Sequence, residues 1–145
     1  MDPTTTEEDV AAIAADVHVA VMKLARRLRT EWTEELTATQ VGTLGSVVRE
    51  GPMPISALAA REGVRAPSMT RTVKLLEAKS LVARSQDPDD ARVVVVSATD
   101  AGRAAVERIR RARRAWLAEQ LARRTPGELA ALRAAAPILT EVAQS

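Results

Sequence analysis

Between residues 81 and 97 the sequence changes period, and that change constrains the fold more than any other feature. Leu81-Val82-Ala83-Arg84-Ser85 and Val93-Val94-Val95-Val96-Ser97 are β-like runs in a chain whose other apolar residues recur at helical steps. They flank Gln86-Asp87-Pro88-Asp89-Asp90-Ala91-Arg92, a turn-rich stretch, so they read as a hairpin with a long loop. A two-stranded hairpin is marginal by itself in water and must rest on something. The expected fold is therefore mainly α, with one small β-hairpin laid against helices.

The helices follow from their apolar stripes and their punctuation. Residues 8–30 carry Val10, Ile13, Val17, Val21, Leu24 and Leu28 at three- and four-residue steps. Residues 32–36 read as a connector. Thr37, with Gln40 three residues on, forms a capping-box pattern for a second helix that Gly51-Pro52 stops. Ser56 is the expected cap of a short helix containing Leu58 and Ala59, which a left-handed Gly63 ends. Pro67 suits the first turn of the next helix, which runs to about Lys79. Beyond the hairpin, Thr99 caps a long helix to about Arg124, and a last one runs from Pro126 to about Ala143.

The helix at 66–79 has two chemically distinct sides. Met69, Thr72, Val73 and Leu76 form an inner side, while Pro67, Arg71, Lys74 and Ala78 form an outer one flanked by Ser68 and Thr70. With the short helix and Gly63 turn before it and the hairpin after it, the order is that of a helix-turn-helix followed by a wing. Small, hydroxylic and cationic side chains near a helix N-terminus can reach base edges and phosphates, and the amide end favours an anion. Arg71 is the candidate for a bidentate contact to guanine, and Ser68 or Thr70 for bases or phosphates. Arg65, Pro67 and Lys74 complete the candidate DNA-contacting set on this element.

In the loop, Arg92 is the only cation, and an arginine on a narrow projection suits a minor groove. Carboxylates there would repel phosphate unless turned inward, so Asp87 and Asp90 are expected to shape the wing by capping amides or pairing with arginine. A calcium loop made of Asp87, Asp89 and Asp90 is the competing reading. Six residues without the Gly and terminal Glu of an EF-hand argue against it.

Charge and composition narrow the classes of function. The net charge is only +2, but residues 61–84 hold Arg61, Arg65, Arg71, Lys74, Lys79 and Arg84 against Glu62 and Glu77. That local excess suits a polyanionic partner, or else a solvated helix surface. Cysteine is absent, which removes disulfides, thiolate metal sites and thiol redox chemistry. No run approaches the ~20 apolar residues of a membrane span, and the N-terminal residues lack the pattern of a secretory signal, so a cytoplasmic protein is expected. No phosphate loop, nucleophile elbow or paired carboxylates around a histidine is present, so no enzyme, cofactor or metal site is expected. Two Trp and no Phe or Tyr leave a core of small aliphatics, part of which a second copy of the chain could complete.

Leu36-Thr37, Gln40 and Leu44, then Ile55, Leu58-Ala59, Arg61 and Gly63-Val64, resemble the MarR family (multiple antibiotic resistance regulators). So do Ser68-Met69-Thr70-Arg71, Val73, Leu76-Glu77, Lys79 and Leu81-Val82. The most specific stretch is Asp87, Asp90 and Arg92 followed by β-residues and Ala98-Thr99-Asp100 and Gly102. The resemblance covers roughly residues 10–143 and implies a single domain over 1–145. Within it, 37–98 would be the winged helix-turn-helix DNA-binding lobe, and 8–30 with 99–143 the dimerisation helices. It further implies a homodimer on a palindromic operator in double-stranded DNA, acting as a repressor, and often a small phenolic or aromatic effector that weakens DNA binding. Ser80 stands where the family usually has Gly, which demands a serine in left-handed backbone or a different turn. Ala98 and Val41 also depart from the usual residues, and the missing Cys excludes the peroxide-sensing branch.

The family's effector cleft lies between the dimerisation helices and the DNA lobe, so His18 with Met22 is expected to line it. A hydrogen-bonded, partly buried structural histidine is the favoured alternative. Trp32 and Trp116 could stack on an aromatic ligand or pack at the dimer junction. Arg108, Arg110, Arg111, Arg113 and Arg114 are read mostly as the solvated face of their helix. The rival from another class is a dimeric helical adaptor whose basic face meets an acidic protein, and steep salt dependence of duplex DNA binding separates the two.

Overall fold

The computed structural model describes residues 6–31 and 36–145. Among the described residues six helices and three short strands follow in the order α1 (Glu7–Thr30), α2 (Ala38–Glu50), β1 (Met53–Pro54), α3 (Ile55–Glu62) and α4 (Ala66–Ala78). Then come β2 (Val82–Gln86), β3 (Val94–Ala98), α5 (Asp100–Leu121) and α6 (Pro126–Val142). The mainly α fold with a hairpin wing is thus observed. Trp32 lies outside the described residues.

Threonines set most of the helix starts. Thr6 with Asp9, Thr37 with Gln40 and Thr125 with Glu128 each close a reciprocal capping box, and the Thr99 hydroxyl accepts from the Gly102 amide. Ser56 does not cap α3. The chain leaves β1 at Pro54, whose extended ψ of 147° makes it the N-cap, so Ile55 is already helical and Ser56 lies inside the first turn. Because Pro54 has no amide proton and no hydroxyl, α3 begins without a side-chain cap.

Two helices end in the same way on different residues. At the end of α3 the Val64 amide donates to the Ala59 carbonyl at 3.0 Å and that of Gly63 to Ala60 at 3.3 Å. After α4 the Leu81 amide donates to Leu76 at 3.0 Å and that of Ser80 to Glu77 at 2.8 Å. Both are Schellman closures, which place the C′ residue in left-handed backbone. Gly63 has φ 64°, and Ser80 accepts φ 60° despite its Cβ.

The sheet is larger than a hairpin. Its order is β1-β3-β2, all antiparallel, with Met53 opposite Val96 on one side and Arg84 opposite Val96 on the other. The two residues of β1 were missed because nothing so short has a period. Val82 and Val96 turn inward onto Leu44, Val47, Leu58, Met69, Val73 and Leu76, and α5 closes this core with Ala105 and Val106. Burying such side chains fully is worth about 1.5–3 kcal/mol each, so the lobe holds itself together.

The terminal helices contrast sharply. Neither α1 nor α6 has a single buried residue. Ile13 is 58 % exposed, Ile138 61 % and Val142 67 %.

Candidate nucleic-acid interface

The α4 helix is held by its inner side alone. Met69, Val73 and Leu76 are fully buried, and Thr72 is half-buried with its hydroxyl donating back to the Ser68 carbonyl at 3.1 Å. That anchoring leaves Arg65, Pro67, Ser68, Arg71 and Lys74 exposed, with Thr70 half-buried beside them. Pro67, Arg71, Lys74 and Ala78 recur at helical steps, so they form one outward stripe. The Thr70 hydroxyl donates to the Ala66 carbonyl at 3.0 Å, leaving its lone pairs to accept but its proton committed. Arg65 is the N-cap, and no side chain caps the first turn. Unclaimed amides at a helix start can meet a phosphate.

The carboxylates of the loop bond to its own backbone and to Arg92. The Asp87 carboxylate accepts from the amides of Asp89 at 2.8 Å and Asp90 at 3.1 Å, while its own amide donates to Val93 across the loop at 2.9 Å. Asp90 accepts the Arg92 amide and both Nε and Nη2 of that side chain, at 3.0–3.1 Å. The Arg92 side chain, then its amide, hold the Asp90 carboxyl below the usual carboxylate range. Arg92 is nonetheless 91 % exposed, so its guanidinium is oriented without being sequestered.

A link that sequence reasoning missed joins wing to helix. Arg84 on β2 donates from Nε to Glu77 on α4 at 2.7 Å. Seven residues apart across a helix end and a turn, the two share no periodicity that could have exposed the pairing. The exposed pair contributes little stability, but it fixes the strand that carries the wing against the helix that carries Arg71.

The region sequence reasoning assigned to an effector is a cleft of about 520 Å³ among α1, α2 and α5. Val41, Val106 and Ile109 give it an apolar floor, and Arg29, Arg110 and Arg113 stand at its edge. Helix α1 reaches it through Ala25, Leu28 and Arg29. His18 and Met22 lie one to two turns short of that stretch. Both are exposed in the single chain and lie outside the lining of this cleft. Arg110 and Arg113 also depart from expectation: they are half-buried, whereas Arg108, Arg111 and Arg114 are exposed. The signal was present, because Val106, Ile109, Arg113 and Trp116 fall on one helical stripe. Trp116 is half-buried, with the Arg27 guanidinium 5.5 Å from its ring centroid, within cation–π range.

Among the described residues no cluster of three or more His, Asp or Glu could hold a metal ion, and no helix is long and apolar enough to cross a membrane.

Known proteins repeat this arrangement. The model of the MarR family matches residues 36–94. An HTH-type transcriptional regulator of Mycobacterium tuberculosis is 41 % identical over 130 residues, covering 89 % of this chain and 91 % of the relative. The HTH-type transcriptional repressor MdtR of Bacillus subtilis is 28 % identical over 122 residues, covering 81 % and 79 %. The crystal structure of a transcriptional regulator of Pseudomonas aeruginosa superposes with a TM-score of 0.82 at 33 % identity, covering 97 % of this chain and 99 % of that one.

Proposed function

The chain belongs to the MarR family of helix-turn-helix transcriptional regulators, and from that premise we propose that it represses transcription as a homodimer on an inverted-repeat operator. Members of the family regulate by binding DNA and are not enzymes. The observation that carries the reading is the division of α4 into a fully buried apolar side and an exposed side bearing Arg65, Pro67, Ser68, Thr70, Arg71 and Lys74. In this reading Arg71 reads a base edge in the major groove, Lys74 and Arg65 meet phosphates, and Arg92 enters the adjacent minor groove while Asp87 and Asp90 hold its loop. Residues 37–98 act as the DNA-binding lobe.

Residues 8–30 and 99–143 act as the dimerisation helices. Support comes from α1 and α6, whose Val10, Ile13, Met22, Leu132, Ile138 and Val142 stay about half to two-thirds exposed in the single chain. Large apolar side chains left exposed along two helices call for a partner surface. Two lobes about 34 Å apart would then meet successive major grooves. With DNA as the partner, the working compartment is the cytoplasm. Repression is favoured over activation by the likeness to MdtR.

The cleft at the junction of lobe and terminal helices is of the size that takes a small ligand. An effector bound there would weaken DNA binding. The test of the whole reading is selection of bound genomic fragments by the purified protein, joined to sedimentation of the free and bound forms. Two protomers per inverted repeat is the expected result. A monomer at micromolar concentration that binds one lobe at a time would sink it.

A further inference from the structure

One large apolar side chain of the DNA-binding lobe is left bare. Among the described residues, the large apolar side chains that stay exposed lie on α1 and α6, with Leu75 on α4 as the single exception. Leu75 is 47 % exposed, whereas Val73 and Leu76 beside it in sequence are fully buried. The core of the lobe is packed without it, so stability does not account for a leucine here. An isolated exposed leucine needs no partner in general. This one stands on the face that carries Arg71.

Its direction follows from helix geometry. With about 100° between successive residues, Met69, Val73 and Leu76 define the inward side, and Arg71 and Ala78 stand opposite. Leu75 lies about 50° to one side of that outward line, in register with Ser68, and Lys74 lies about as far to the other side. The outward face therefore has a cationic flank and an apolar flank. Glu77, whose pairing with Arg84 marks the side on which the wing is tied, is about 160° around the helix from Leu75. The wing thus attaches away from Leu75 and leaves it open.

A duplex offers this side chain one kind of apolar partner. Phosphates carry charge, and base edges in the major groove present donors, acceptors and the 5-methyl group of thymine. We propose that Leu75 packs on a thymine methyl and thereby selects thymine at a position where α4 makes no hydrogen bond. The proposal rests on the reading of α4 as the major-groove helix and adds a specificity-determining residue to it. Residues four apart on a helix have Cβ atoms about 5–6 Å apart, and bases along a strand are spaced by about 3.4 Å. The thymine is therefore one or two base pairs from the base that Arg71 reads. The same contact favours 5-methylcytosine over cytosine, because that base carries its methyl at the same place.

The experiment uses the full chain and a duplex that it selects from genomic fragments. Deoxyuridine, which differs from thymidine only by the missing methyl, replaces thymidine at each position of both half-sites in turn, and fluorescence anisotropy gives the dissociation constants. In the unaltered chain one such replacement, close to the base read by Arg71, should weaken binding about fourfold per half-site, the worth of one buried methyl group. Leu75→Ala should bind the two duplexes equally, with a melting temperature shifted no more than by an ordinary surface substitution. Leu75→Met, which conserves apolar volume, should keep most of the discrimination. A C·G pair placed there should bind more tightly when its cytosine is 5-methylated, in the unaltered chain but not in Leu75→Ala.

Discrimination that survives in Leu75→Ala would assign the methyl contact to another side chain and overturn the proposal. A Leu75→Ala protein that binds both duplexes more weakly by the same factor would place Leu75 against the sugar–phosphate backbone or a second copy of the chain, and would overturn it equally. So would a selected duplex in which no thymine methyl matters. In each of these cases the reading of α4 stands, provided that Arg71→Ala still relaxes preference at its own base. A chain that selects no fragment removes both readings, and that result appears before any variant is made.

Discussion

Replacing Gly102 by alanine tests how the DNA-binding lobe is joined to α5. A Cβ on Gly102 would sit 2.0 Å from the Leu81 carbonyl oxygen, 3.0 Å from its carbon and 3.2 Å from Leu44 Cδ1. Nothing flexible stands in the way, since the obstacle is backbone. The Leu81 carbonyl would have to retreat by about 1 Å to reach even the shortest tolerated contacts. That carbonyl accepts from the Thr99 amide at 3.1 Å, and the Thr99 hydroxyl donates to the Ser80 carbonyl at 2.6 Å. Losing the first bond costs about 1 kcal/mol and the overpacking about 1–3 kcal/mol. The helical gain of Ala over Gly returns only about 0.5–1 kcal/mol. The expected net loss is about 1–3.5 kcal/mol, a large part of the stability of a typical domain. Gly45→Ala is the control, because its Cβ meets nothing within 4 Å, and it should stabilise by about 0.5–1 kcal/mol. Urea titrations of both variants at one protomer concentration provide the measurement. A Gly102→Ala protein within about 0.5 kcal/mol of the original would refute the close-packed joint.

Four further outcomes are expected. Arg71→Ala should cost about 1–3 kcal/mol of operator binding and relax preference at one base position, read by competition with substituted sites. Lys74→Ala should weaken binding to all sequences alike and reduce the salt slope by about one. Ser80→Gly should stabilise by about 0.5 kcal/mol, because the 1–2 kcal/mol penalty of an L-residue in left-handed backbone exceeds the entropy cost of glycine. The Asp90 carboxyl, lowered by Arg92, supports the wing above the ordinary carboxylate range and loses that role as pH falls through its depressed value. Carboxyl resonances followed by NMR should therefore show Asp90 titrating below the ordinary aspartate range, and Arg92→Ala should raise it while hardly changing the melting temperature.

Much of the lobe was legible because local chemistry and tertiary packing agree there. The Thr37–Gln40 capping box, the Gly63 turn, the two-sided α4 and the Asp-rich loop each state in sequence what the fold uses. Legibility failed where a residue answers to a distant partner. Ser56 looked like a cap, yet pairing of Pro54 with β3 moved the helix start upstream. The arginine cluster of α5 reads mostly as solvated face, and Arg113 is half-buried because it shares the Ile109–Trp116 stripe. The stretch of α1 that lines the cleft, Ala25 to Arg29, depends on where α2 and α5 cross it, and no period in α1 records that crossing.

In the proposed function two winged lobes read an inverted repeat together. Its most direct test is the affinity for a selected operator with about 5 or about 10 base pairs inserted between half-sites, against the natural spacing of about one turn. The shorter insertion, which rotates one half-site to the far face of the duplex, should reduce binding to the level of a single half-site. An affinity indifferent to the insertion would contradict it.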